Sequence, residues 1–365
     1  MPSAAGLGSD RVPPEWLIHG TEVTYRSGML GLWGIGVRWG NMPLERLALI
    51  ANSSAVDAMP VASSKKKAPT SDLLRAAQLV VKDGWLAPWR VVSARSCIAW
   101  FLQYSIMGAA FQGVDRMLSK TLGVQPCFYG DELFELDDED EQNSIRSKFN
   151  TSQGSDSEAI IQTIYLTKVY SKALLAPILA GAIESLVSNK AEVERFYGKE
   201  EFKRIVTSSR ATRGPLSTLS NIAGPAFWAN ATRNAVMSYA TFIGTPLLFI
   251  TFMPAENRNP QTLAWSGLLG NLLANVFGTT CQAAWGRSLD FLAREGRIAY
   301  RDTIYEGLQS TGVGAFINPT KWITRVGMNF VPQGMIPWYW NTIIPLGEGH
   351  VKHLVYSVWI ATVSV

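Results

Sequence analysis

Residues 28–50 read GMLGLWGIGVRWGNMPLERLALI. Glycine, tryptophan and aliphatic side chains fill most of it, and its charges are confined to Arg38, Glu45 and Arg46. A helix of about 20 apolar residues crosses the ~30 Å of hydrocarbon in a bilayer, so this stretch reads as a membrane span. Five further stretches have the same character, at residues 91–118, 164–188, 227–253, 263–285 and 317–346, each interrupted by Gly, Pro or a single Arg. Trp89, Trp228, Trp285, Trp338 and Trp340 stand at or near their ends, where interfacial anchors belong. A soluble helical bundle is the competing reading, and periodicity leaves it open for residues 91–118 and 227–253. The expectation is an all-α membrane protein with six transmembrane helices.

Composition agrees with this. Of 365 residues 47% are apolar and 17% charged, below the roughly 25% common in soluble domains. The net charge of +4 conceals an acidic block at residues 131–141 with eight carboxylates and no base. Outside it, 33 bases face 21 acids, a balance suited to an anionic lipid surface. No basic run is interleaved with aromatics as a single-stranded nucleic acid would require. Cys97, Cys127 and Cys281 lie far apart and only His350 and His353 are close together, so neither a disulfide framework nor a metal site is expected. The opening MPSAAGLGSDRVPPEW has no apolar core for a secretory signal and too little Arg for a cleaved transit peptide, which leaves insertion to internal segments. No nucleophile elbow, P-loop, dinucleotide fingerprint or paired carboxylate is legible, and an enzyme is not expected.

The joints between spans alternate. Those after the first, third and fifth spans are charged: Lys65-Lys66-Lys67 with the amphipathic residues 71–82, then residues 190–213, then 287–309 with a short helix at 300–309. The joint after the second span is the acidic block, and that after the fourth is short and rich in Pro and Asn. By the bias of basic loops, the three odd joints face one compartment and the acidic insert the other. The pattern is a threefold repeat of helix, charged loop with a small helix, and helix.

Two motifs mark the repeat. Pro43-Leu44-Glu45-Arg46 ends the first span, and Asp83-Gly84 followed by Trp89-Arg90 precedes the second. Later come Glu192 with Arg195, then Gly224 with Trp228, then Asp290, then Gly312 with Phe316. Together these resemble the mitochondrial carrier family, most closely its ADP/ATP carriers in the first repeat and as decayed echoes afterwards. The resemblance implies repeats at 25–121, 159–256 and 257–347, with an N-terminal extension at 1–24, an acidic intermembrane-space insert at 122–158 and a tail at 348–365. It implies a multi-pass protein of the mitochondrial inner membrane with three small matrix helices.

The resemblance also assigns residues. Pro43, Glu45, Glu192, Arg195 and Asp290 would form the matrix gate, where carboxylates pair with bases of neighbouring repeats. Ala48 and Ala293 stand at two of the basic positions, so one base faces three acids. At the opposite gate only Phe111-Gln112 with Val114 or Asp115 echoes the pattern in the first repeat, and no acid–base pair is expected around Pro246 to Phe252 or Pro337 to Trp340. Arg38, Arg95, Arg233 and Arg325 would face a central cavity for an anionic substrate, or else pair with leftover carboxylates such as Glu184 or snorkel to the lipid interface. Gly84, Trp89, Arg90, Gly224 and Gly312 would frame cardiolipin sites at helix N-termini. Gly36 and Gly40, with Gly267, Gly270 and Gly278, are expected at close helix contacts.

The decay of both gates, with the added insert and tail, points to a carrier-like protein that has lost transport and serves as an accessory subunit of a larger inner-membrane assembly. A respiratory chain complex and the ATP synthase are the candidates. A divergent antiporter of an anionic metabolite or nucleotide is the alternative. A cavity closed by Trp100, Trp228 or Trp322 would favour the first.

Overall fold

The computed structural model describes residues 12–45, 94–124, 155–197, 223–295 and 300–363, with scattered positions between 47 and 93, at 126 and at 200–204. Among them all regular structure is helical. The long helices are α1 (Glu15–Gly40), α2 (Ala94–Leu122), α3 (Ser155–Tyr197), α4 (Phe227–Phe252) and α5 (Pro260–Glu295). The short α6 (Tyr300–Thr311) leads to α7 (Pro319–Gly334), and after a break comes α8 (Ile344–Val363). Each long helix packs on the next, α5 packs on α7, and both α7 and α8 return to α1, so the chain closes on itself in sequence order.

Three helices are long and apolar enough to cross a membrane among the described residues: α2 at Ser96–Leu122, α3 at Thr163–Glu194, and α4. The sequence predicts six. The other stretches carry more polar groups, and the structure turns these groups inward. Helix α1 buries Arg26 and Arg38, and α5 buries Asn271 and Asn275.

The boundaries also move. Helix α1 begins at Glu15, well before residue 28, and stops at Gly40. There the Asn41 backbone N–H closes the helix on Val37 O, and its side-chain amide donates to Met328 O on α7 at 2.5 Å. Helix α7 starts where Asn318 caps it by accepting from the Lys321 N–H at 2.8 Å. Helix α8 runs straight through residue 347, where the repeat pattern places the end of the third repeat. The predicted helix at 300–309 is α6, whereas the lysine run and the acidic block lie outside the described residues.

Two π-helical turns interrupt the even members. Ala240–Gly244 lies within α4 and Tyr339–Ile343 lies just before α8, and Pro246 and Pro345 follow at the same distance. A proline has no N–H to donate and crowds the preceding turn, and a π turn accommodates both.

Close contacts rest on small residues. A side chain at Gly31 or Gly34 would meet Phe101, Ser105 and Tyr104 of α2, and one at Gly181 would meet the backbone of Ala235 on α4. Gly267 faces the Gly334 carbonyl, Gly270 faces Thr245, and Gly278 faces Met237 and Arg325, as expected for close packing. Gly36 and Gly40 do not take part, because both look into open space.

The main apolar core draws Leu30 from α1, Met107 and Phe111 from α2, Ala176 and Ala180 from α3, Phe242 from α4 and Ile336 and Trp340 from the α7–α8 run. A smaller core around Val193, Trp285 and Leu289 sits toward the other end of α3 and α5.

Candidate functional site

The three described arginines of the predicted cavity are all buried, at 4% exposure for Arg38, 8% for Arg233 and 4% for Arg325. Their partners differ from those expected. Arg38 donates from Nε to the Tyr104 hydroxyl at 3.1 Å and lies over its ring, while its Nη1 is 3.8 Å from Glu45 Oε2. Arg233 holds Glu192 at 2.5 Å, donates to Gln282 Oε1 at 2.7 Å and to Asn234 Oδ1, and covers the Trp285 ring. The expected gate acids therefore pair with the expected cavity bases. Glu45 is reached from α1, the helix just before it in the chain, because the turn at Asn41 brings it back toward Arg38.

Glu184 belongs to the same cluster. The Gln103 amide bridges it to Glu192, at 3.3 Å and 2.7 Å respectively. Two guanidinium groups, those of Arg38 and Arg233, thus lie among three carboxyl groups, with Gln103, Gln282 and Asn234 filling further hydrogen-bond positions. Arg325 stands apart from the acids. Its Nη1 donates to Gln282 Oε1 at 3.3 Å, its Nε is buried without a partner, and it has no ion pair among the described residues.

The remaining gate positions are less engaged. Pro43 is half-buried in the turn after α1. Asp290, also half-buried, lies one turn before Arg294 and contributes to the field on that surface guanidinium, which Glu306 of α6 grips and raises above its ordinary value. The side chains of Arg95 and Arg195 lie outside the described residues.

Beyond this cluster the interior is closed by rings. Phe111 stacks on Phe242 with centroids 4.5 Å apart, and Trp340 meets Phe242 edge-on at 5.3 Å. Trp33 and Tyr339 stack at 4.7 Å across the meeting of α1 with the last helices. Of the tryptophans expected as plugs, Trp100 is fully buried, Trp322 is half-buried and Trp228 remains 46% exposed. The closure thus comes from Phe111, Phe242 and Trp340.

The opposite end is heavily charged, and its ion pairs fall outside residues 246–252 and 337–340, where none is expected. Arg116 of α2 holds Glu22 of α1 at 2.8 Å, Glu22 is 3.8 Å from Arg26, and Arg26 reaches Glu348 of α8 at 2.6 Å. Lys352 completes the alternating chain at 2.6 Å from Glu348. Nearby, Asp115 pairs with Lys172 of α3 at 3.1 Å. Asp115 is the one motif position in this set. Glu22 and Glu348 fall in the stretches read as extension and tail, and their basic residues four positions on are the signal that could have found them.

The motif glycines all have positive φ. Gly84, Gly224 and Gly312 have φ of 92°, 93° and 63°, in the region that side-chain-bearing residues avoid; Gly84 and Gly224 stand three residues ahead of helices and Gly312 opens a 3-10 turn. Around the first, Trp89 is half-buried, with its Nε1 donating to Trp39 O at 2.9 Å, and Arg90 is exposed. Around the second, Asn189 donates to the carbonyls of Ala223 and Pro225, and Asn230 turns inward to Asn189.

The chain matches no family model, no curated protein and no solved structure.

Proposed function

We propose that this chain is a carrier-like bundle of six spans in three repeats, held closed, that has lost transport and serves as a structural accessory subunit of a larger assembly in the mitochondrial inner membrane. A respiratory complex or the ATP synthase is the expected host, and cardiolipin and neighbouring subunits are the expected partners. The observation that carries this reading is the stacked core of Phe111, Phe242 and Trp340, contributed by three different helices where a conducting bundle would need an aqueous path.

Three features support the six-span arrangement. The helices pack in a closed sequential ring. Trp16 and Trp39, exposed at 72% and 54%, stand at the two ends of α1, about 34 Å apart at ~1.5 Å per residue, which matches two interfacial belts. The three motif glycines all have positive φ, ahead of the second, fourth and sixth predicted spans.

The test is native electrophoresis of mitochondrial membranes in mild detergent, with the protein followed by mass spectrometry. Stoichiometric co-migration with a large complex is expected. Migration as a free monomer, with solute exchange after reconstitution in liposomes, would overturn the reading.

One observation favours the antiporter instead. Arg325 is a buried guanidinium with no carboxylate partner among the described residues, as an anion-binding group would be. That reading requires Arg325→Ala to abolish uptake of an anionic metabolite or nucleotide into liposomes, and unchanged uptake would end it.

A further inference from the structure

Helix α8 packs chiefly on α1, and its other side is exposed along its length among the described residues. The exposed positions form two adjoining rows at i, i+4 spacing. One row is Leu346, His350, Leu354 and Val358, and the other is Gly349, His353, Ser357 and Ala361. Apart from His353 the second row is built of small residues, and a Cβ added at Gly349 would meet nothing within 4 Å. Such a face lets the backbone of a second helix approach closely.

The two histidines decide what covers it. Helix α8 runs antiparallel to α1: the Tyr339 hydroxyl donates to Met29 O, Gly347 lies beside the Tyr25 hydroxyl, and Val351 shares a groove of about 510 Å³ with Leu17, Gly20 and Thr21. Counted from Gly347, His350 and His353 stand roughly 9 Å and 5 Å inside the level of Trp16, at ~1.5 Å per residue. Neither imidazole has a hydrogen-bond or ion-pair partner among the described residues. In either protonation state an imidazole keeps at least one N–H to donate, and lipid chains offer no acceptor at that depth. At i and i+3 the two rings are neighbours on the helix surface, so one carboxyl group with two oxygens can receive from both.

We propose that the outer face of α8 docks a membrane-crossing helix of a neighbouring subunit, one that carries an Asp or Glu level with His350 and His353. The small row gives that helix its close approach, the aliphatic row its packing, and the imidazoles its register. A lipid chain would cover the aliphatic row as well, but it leaves both imidazoles unmet. The inference rests on the membrane placement and the accessory-subunit reading proposed above, and names the surface by which the subunit is held.

The test follows the full chain in mitochondrial membranes by native electrophoresis and mass spectrometry. His350→Leu with His353→Leu, and separately Gly349→Leu, should each weaken association with the host complex about tenfold or more. The unfolding temperature of the purified chain should not change, because all three positions are exposed. Gly36→Leu, at an open position on α1, is the control and should leave co-migration intact. Photocrosslinking from Leu354→p-benzoylphenylalanine should fall on a membrane helix of that complex, and replacing the Asp or Glu of that helix with Leu should release this chain to the same extent. Native co-migration that survives both α8 variants, or crosslinks to lipid alone, would overturn the docking face and leave the subunit reading standing. Migration of the native chain as a free monomer would overturn both.

Discussion

Substituting Arg233 with Met tests whether the interior cluster is a structural anchor or a vacant binding surface. In the native bundle Arg233 and Glu192 are 8% and 6% exposed and 2.5 Å apart, and both are further held by amide side chains. Removing one partner of a buried pair leaves the other charge stranded and costs about 3–5 kcal/mol. For a chain of 365 residues that lowers the unfolding temperature by roughly 4–7 °C. Glu192→Leu alone should cost a similar amount. The double variant should be far less damaged than the sum, since two apolar groups of comparable volume strand no charge, and the coupling should reach about 3 kcal/mol. The assay is thermal unfolding of the purified protein in detergent for all four members of the cycle. Additive effects, or a loss below about 1 kcal/mol for Arg233→Met, would refute the argument and return Arg233 to the cavity.

Other consequences follow from the packing. Gly181→Ala drives a methyl into the Ala235 backbone and should cost about 1–3 kcal/mol, whereas Gly36→Ala, facing open space, should stabilise by about 0.5–1 kcal/mol; unfolding temperatures of the two check this. Gly224→Ala forces a side chain onto a φ of 93° and should cost about 1–2 kcal/mol by the same measurement. At the charged end, the double reversal Arg26→Glu with Glu348→Arg should fail to rescue either single reversal. It sets the introduced carboxylate beside Glu22 and the introduced guanidinium beside Lys352, and a restored unfolding temperature would mean an isolated pair instead of a chain.

Much of the helical layout is readable from residues alone. Apolar length locates α2, α3 and α4, the helical pattern after residue 300 locates α6, and the glycine echoes at 84, 224 and 312 mark positions of positive φ. What chemistry marks as exceptional is also readable: an arginine in an apolar stretch needs a reason, and Arg38, Arg233 and Arg325 are all buried. Partner choice is not readable, because it depends on how one helix is rotated against the next. Glu45 meets Arg38 only because the chain turns at Asn41, and Gln103 joins Glu184 to Glu192 from a helix some 80 residues away in sequence. The count of spans is blurred by the same inward-facing polar groups, which lower average hydropathy while leaving the outer surface apolar. Residues 1–24 and 348–365 carry no repeat motif, so the alternating chain of charges that joins them is invisible to a reading guided by the repeat.

The two π turns imply a bookkeeping of register along the chain. Each holds one residue more than an α-helical path would need, so everything beyond it is rotated by about 100° relative to an uninterrupted helix. Deleting a single residue from Ala240–Gly244 would heal the local hydrogen bonding while swinging Phe249 off its buried face, and the same deletion in Tyr339–Ile343 would carry Glu348 away from Arg26. Sequence length at these two points therefore sets phase, and an alignment of related chains that slides a gap through either turn will misassign every inward-facing position downstream.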